Sequence, residues 1–98
     1  MKIAQDYKYK GDDYWKWWVW IDGTPEELNQ INHVTYILHH TFPKPIRTVD
    51  DRESKFRLET AGWGVFTLHA KVVLEDGNET HLTHDLVLKY PDGTATTA

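Results

Sequence analysis

The chain has 98 residues, 40% of them apolar, with five Trp, five Tyr and three Phe and a formal net charge of −4. That is the size of one domain, spanning 1–98, whose bulky aromatics supply the buried area that a modest apolar share does not. The lack of cysteine excludes a disulfide framework, a thiolate nucleophile and a thiolate zinc site, and no Lys/Arg cluster or membrane-length apolar run points to nucleic acid or a bilayer.

The opening MKIAQDYKYK lacks the apolar core of a signal peptide, so a cytoplasmic chain is expected, and about residues 1–12 are expected to be less ordered. In WKWWVWID, Trp15, Trp17, Val19 and Ile21 fall on one face of a strand and Lys16, Trp18, Trp20 and Asp22 on the other. Thr24, Pro25 and Glu27 then form an N-cap, a first-turn proline and a capping box, which predict one short helical turn over Pro25–Gln30. HVTYILH turns Val34, Tyr36 and Leu38 inward, Ile46–Val49 is a short strand, and Phe56, Leu58 and Thr60 alternate with charged neighbours. The alternation resumes from Phe66 to Leu74, EDGNE is a hairpin turn, and a last strand over Thr80–Tyr90 carries Leu82, His84, Leu86, Leu88 and Tyr90 on one face. The tail, 91–98, is expected to fray. Seven to eight short strands with one helical turn predict an all-β chain, an immunoglobulin-like antiparallel β-sandwich.

Six histidines invite a metal reading, but His81 and His84 point to opposite faces of a strand and no third ligand converges on them, so no metal and no cofactor is expected. The single serine, Ser54, sits among charges in DDRESK with no glycine-flanked elbow, so no catalytic residue is assigned. Trp18 and Trp20 share a strand face and offer a platform for sugar rings, the alternative being aromatic filling for a small sandwich. Two segments are left over. HHTFPKP ends a strand on Thr41 and Phe42 between histidines and prolines, and GWG strips side chains from both sides of Trp63. If both loops lie at one end, Phe42 and Trp63 are the walls of a slot for a planar amide, with Thr41 as a hydrogen-bond partner. Trp63 alone reads equally well as a core plug beside a bulge.

At these segments the chain resembles the YEATS domain family, prokaryotic branch, from about Trp15 to Leu88. Trp17–Gly23 resembles the family's tryptophan-led early strand. HVTYILHHTFPKPIR resembles the V-x-Y-x-L-H-x-[ST]-F-x-x-P-x-R signature, Gly62–Phe66 the G-[WY]-[GA]-x-F signature, and His84-Asp85-Leu86 a late polar-Asp-Leu step. The resemblance implies a non-catalytic immunoglobulin-fold reader of acetyl- or crotonyl-lysine whose partner is an acylated-lysine peptide or protein. It implies Phe42 and Trp63 as the aromatic walls, Thr41 as the hydroxyl and His39 as its brace. It further implies a backbone N–H of Trp63 or Gly64 for the acyl carbonyl, Gly62 beside it, Asp85 for a basic neighbour in the peptide, and Tyr14 as a further aromatic. His40 falls at a variable position. The alternatives are an interaction scaffold of a larger prokaryotic sensing or defence protein without acyl-lysine binding, and a carbohydrate-binding module.

Overall fold

In the computed structural model, which describes residues 1–96, seven strands and one short helix follow in the order β1 (Lys2–Gly11), β2 (Tyr14–Asp22), α1 (Pro25–Asn29), β3 (Ile31–Ile37), β4 (Ile46–Val49), β5 (Leu58–Gly62), β6 (Thr67–Leu74) and β7 (Glu79–Asp85). They form two antiparallel sheets, β1-β2-β5 and β4-β3-β6-β7, packed as a sandwich. The core is what the period-two pattern requires: Trp15, Trp17, Val19 and Ile21 of β2 are fully buried, facing Val34 and Tyr36 of β3 and Leu68, Ala70 and Val72 of β6. Helix α1 carries the full capping box, with the Thr24 hydroxyl accepting from the Glu27 N–H and the Glu27 carboxylate accepting from the Thr24 N–H. Five residues with one buried side chain, Leu28, make it a stopper between sheets and not a core element.

Three stretches depart from expectation. The first twelve residues, expected to be less ordered, supply the ten-residue strand β1, which pairs with β2 from Lys2↔Asp22 to Gly11↔Tyr14. Its inward side is Ile3, Gln5, Tyr7 and Tyr9, and one polar residue among two tyrosines blurs the apolar signal. The last strand is also shorter than expected. It leaves the four-stranded sheet at Asp85, and the chain continues across the open side of the sandwich with Leu86 and Leu88 buried.

Gln5 makes that crossing possible. Its amide donates to the Val87 carbonyl (2.7 Å), while its side-chain oxygen accepts the Val87 N–H (2.9 Å) and a His84 ring N–H. One side chain thus takes the place of a strand ladder between sheets that share no backbone pairing. The tail, expected to fray, folds back instead. Thr96 N–H donates to Leu88 O, Lys89 bridges Ala95, and the Trp15 indole donates to Lys89 O. Tyr90 stacks edge-on against Tyr9 and Trp15, its hydroxyl on the Asp13 carboxylate. Residues 97 and 98 of that tail lie outside the described residues.

The opposite sheet contact is fixed by Tyr36, whose buried hydroxyl donates to Phe56 O (2.7 Å). Burial pushes that hydroxyl's pKa upward, so it stays neutral and keeps donating. Lys55 and Phe56 both sit in the left-handed region (φ 60 and 58), a conformation that costs a non-glycine residue and is held here by Phe56 being fully buried.

Removing the Gln5 amide should therefore cost more than a surface change. Gln5→Ala leaves the Val87 N–H and C=O and the His84 ring without partners and is expected to lower unfolding free energy by about 1–3 kcal/mol in urea titrations. The same site carries a pH signature. Burial holds the His84 imidazole below its ordinary value of 6.5, against a smaller upward pull from Asp85. The unfolded chain therefore binds the proton more readily, so this contribution to stability is present above about pH 6.5 and lost as pH falls below it. The decline between neutral and mildly acidic pH should flatten in His84→Gln.

Candidate functional site

One end of the sandwich is closed by two segments. The 38–45 loop joins β3 to β4, and the 63–66 turn joins β5 to β6. The first is held from inside itself. Leu38 N–H donates to Pro45 O (2.7 Å), closing the loop at its base, and Phe42 N–H donates to His39 O (3.0 Å). Arg47, the first inward-facing residue of β4, clamps the remainder: its guanidinium donates to Lys44 O (3.2 Å), Pro43 O (3.0 Å) and the Thr60 hydroxyl (3.3 Å). Lys44 takes φ 52, the sharp reversal between the two prolines. The prolines and the arginine together make this a stiff rim.

The second segment starts where β5 runs out. Gly62 pairs with Trp15 and is buried, and a Cβ built on it would meet the Phe42 Cζ at 3.4 Å and the Trp17 Nε1 at 3.8 Å. The Phe42 ring lies close enough here to leave room for little more than a methyl group, so what the position requires is a small side chain and not backbone freedom. Trp63, the next residue, is 63% exposed, so its indole is not a core plug.

Between the two segments lies an open cavity of about 420 Å³. Its aromatic walls are Phe42, Phe66, Trp63 and Tyr14, and its polar groups come from His39 and Thr41. Phe42 and Phe66 lie 5.5 Å apart and both lean on the buried indole of Trp17, at 6.2 and 5.9 Å between centroids. Among the described residues the buried Trp17 indole nitrogen has no hydrogen-bond partner, so the floor beneath the slot is apolar in contact and polar in character.

His39 and Thr41 form a pair. The ring Nδ1 lies 2.9 Å from the Thr41 hydroxyl, and the Thr41 backbone N–H is directed at the same nitrogen at a long 3.4 Å. With that N–H aimed at it, Nδ1 serves as acceptor, and the Thr41 hydroxyl donates to it. The hydroxyl oxygen is then left with lone pairs for a guest's N–H. His40 stacks on His39 at 4.2 Å and is not among the lining residues.

Of the residues singled out from sequence, Tyr14, His39, Thr41, Phe42, Gly62, Trp63 and Gly64 line this one cavity. Asp85 does not. It ends β7, where its carboxylate accepts from the Thr67 hydroxyl (2.8 Å). Phe66 and Arg47 were not assigned a role from sequence. Phe66 reads as the first residue of a strand pattern and Arg47 as one letter of a signature, and only the folded loop shows what each touches. Trp18 and Trp20 are half-buried on the outer face of β2, and Arg57 covers the Trp18 ring at 5.1 Å, which occupies the face a sugar would need. Among the described residues, no group of three His, Asp or Glu side chains is placed to hold a metal ion.

Gly62 offers a direct check on this packing. Gly62→Ala places its methyl at the limit of contact and should stay within about 1 kcal/mol of wild type. Gly62→Leu drives atoms into the Phe42 ring and should cost about 1–3 kcal/mol in thermal or urea unfolding, with the Phe42 ring resonances shifted.

Comparison with known proteins places this geometry in context. The family profile described as the prokaryotic YEATS domain matches residues 15–87. Among curated relatives, the chain is 35% identical over 66 residues to the "Protein AF-9 homolog" of Eremothecium gossypii, covering 64% of this chain and 31% of that protein. It is 34% identical over 65 residues to the "Transcription initiation factor TFIID subunit 14" of Schizosaccharomyces pombe, covering 65% of this chain and 26% of that protein. The chain thus spans about a third or less of these relatives' length. Among solved structures, the Yaf9 YEATS domain bound to H3K27ac superposes with a TM-score of 0.75 at 22% identity, over 96% of this chain and 75% of that one. The Yaf9 YEATS domain recognising an H3K122suc peptide gives 0.66 at 21% identity, over 96% and 72%. At these identities the likeness of structure is a likeness of fold.

Proposed function

The chain belongs to the prokaryotic YEATS domain family, and from that premise we propose that it is a non-catalytic module that binds an acylated lysine side chain end-on in the slot between the 38–45 loop and the 63–66 turn. The observation that carries the reading is the convergence of Phe42, Trp63 and the Thr41–His39 pair on one open cavity. An acyl amide is flat, uncharged and polar at its centre, so it stacks on aromatic faces but still needs a donor and an acceptor once water is excluded. Thr41 Oγ1 accepts the amide N–H, oriented by its own bond to His39. A backbone N–H of Trp63 or Gly64 meets the acyl carbonyl. The exposed Trp63 indole closes over the acyl group and loses its own water in doing so. A Yaf9 YEATS domain bound to H3K27ac lends support by fold.

The rim is already stiff, so little ordering accompanies binding, and affinity depends on the walls. Titration with acetyl- and crotonyl-lysine peptides, followed by chemical shifts and by polarisation of a labelled peptide, tests this. Wild type is expected to respond at residues of both segments. Trp63→Ala and Phe42→Ala should weaken binding by on the order of tenfold or more, and Thr41→Val by about fivefold. A response of wild type equal to that of Trp63→Ala, or none with any acylated peptide, removes the reading.

A further inference from the structure

Outside the slot, the outward face of β1 and β2 carries lysines that the fold itself only partly uses. Lys8 and Lys16 are register partners on that face, directly opposite one another, an arrangement that costs stability in a sheet. A register irregularity between Tyr9 and Gly11 then takes Lys10 out of the ladder, as a bulge does when it re-aims a side chain. Lys10, Lys16 and Tyr14, with Glu59 as the one carboxylate among them, line an open cleft of about 560 Å³, which shares Tyr14 and Ala61 with the slot.

These cations are incompletely neutralised. Glu59 pairs with Lys16 but also with Arg57, so one carboxylate serves two charges. Both lower its pKa, the Lys16 hydrogen bond foremost, so it stays ionised. Among the described residues neither Lys8 nor Lys10 has a salt bridge or side-chain hydrogen bond. Asp6, across from Trp18, and Asp22, across from Lys2 at the far end of the ladder, are the other carboxylates on the outward face of these two strands, and Asp6 already accepts the Tyr7 N–H. On the far side of Tyr14 the charge changes sign: Asp12 and Asp13 line a separate cleft with Trp63. Tyr14 therefore divides a basic approach to the slot from an acidic one, on a chain whose net charge is −4.

We propose that the cleft lined by Lys10 and Lys16 receives the stretch of partner chain on one side of the acylated lysine, and that this stretch is acidic. The inference rests on the slot reading above and adds the partner's sequence character to it. An acidic flank would give Lys8 and Lys10 the counter-charges they lack and relieve the opposed lysine pair. A basic flank on that side meets like charge.

The test uses labelled acetyl-lysine peptides in a neutral Gly/Ser background, carrying two Asp or two Lys on one side of the acyl-lysine or on the other. On one side only, the Asp peptide should bind about fivefold tighter than the neutral one and the Lys peptide weaker, with the gap shrinking as salt is raised. Lys8→Glu combined with Lys10→Glu, which leaves the Lys16–Glu59 pair in place, should reverse that order, with its thermal transition confirming the fold. If flank charge makes no difference, or Asp helps equally on both sides, or Lys is preferred, while Trp63→Ala still loses binding, the inference is overturned and the slot stands. If no acylated peptide binds wild type, both fall together.

Discussion

The slot depends on Trp17. Its indole is fully buried in the middle of β2, and both Phe42 and Phe66 rest against it from the loop side. Edge-on contacts of this kind fix ring orientation as well as distance, because the positive edge of one ring meets the negative face of the other. The walls of the cavity are therefore an extension of the core, and their spacing is set by packing between the sheets rather than by the loops alone. Gly62 completes the constraint from the other side by leaving room for the Phe42 ring.

The two sheets share no backbone ladder, so their relative position comes from side chains. Gln5 ties β1 to the segment after β7, the Trp15 indole ties β2 to Lys89, and Arg47 ties β4 to Thr60 of β5. The first two lie along one open side of the sandwich, and the third lies on the other, beside the slot. A guest held between the 38–45 loop and the 63–66 turn would bridge one sheet to the other. Binding to the native state alone would then stabilise the whole domain by mass action, not merely its rim.

Much of this was legible in the sequence where short-range rules apply. The stripe of β2, the capping box before Leu28 and the alternation of β6 each follow from a local pattern, and HHTF and GWG stood out because strand packing did not account for them. What was not legible depended on partners far along the chain. β1 looks weak because its inward Gln5 is polar, and it is inward because Val87 and His84 need it 82 and 79 residues away. The tail looks like a fraying end until Tyr90 meets Tyr9 and Trp15. Asp85 sits in a familiar motif step, yet in the fold its carboxylate belongs to Thr67.

Arg47 grips the loop by its main chain. Two of its three bonds go to the carbonyls of Pro43 and Lys44, and Leu38 reaches Pro45 in the same way. Carbonyls are common to every residue type, so although Lys44 at φ 52 favours residues that tolerate the left-handed region, the shape of the rim does not depend on which side chain decorates position 40. Substitutions there can accumulate without loosening the walls at Phe42 or the hydroxyl at Thr41. A lineage carrying this domain is thus free to alter what its mouth touches while inheriting the grip beneath it unchanged.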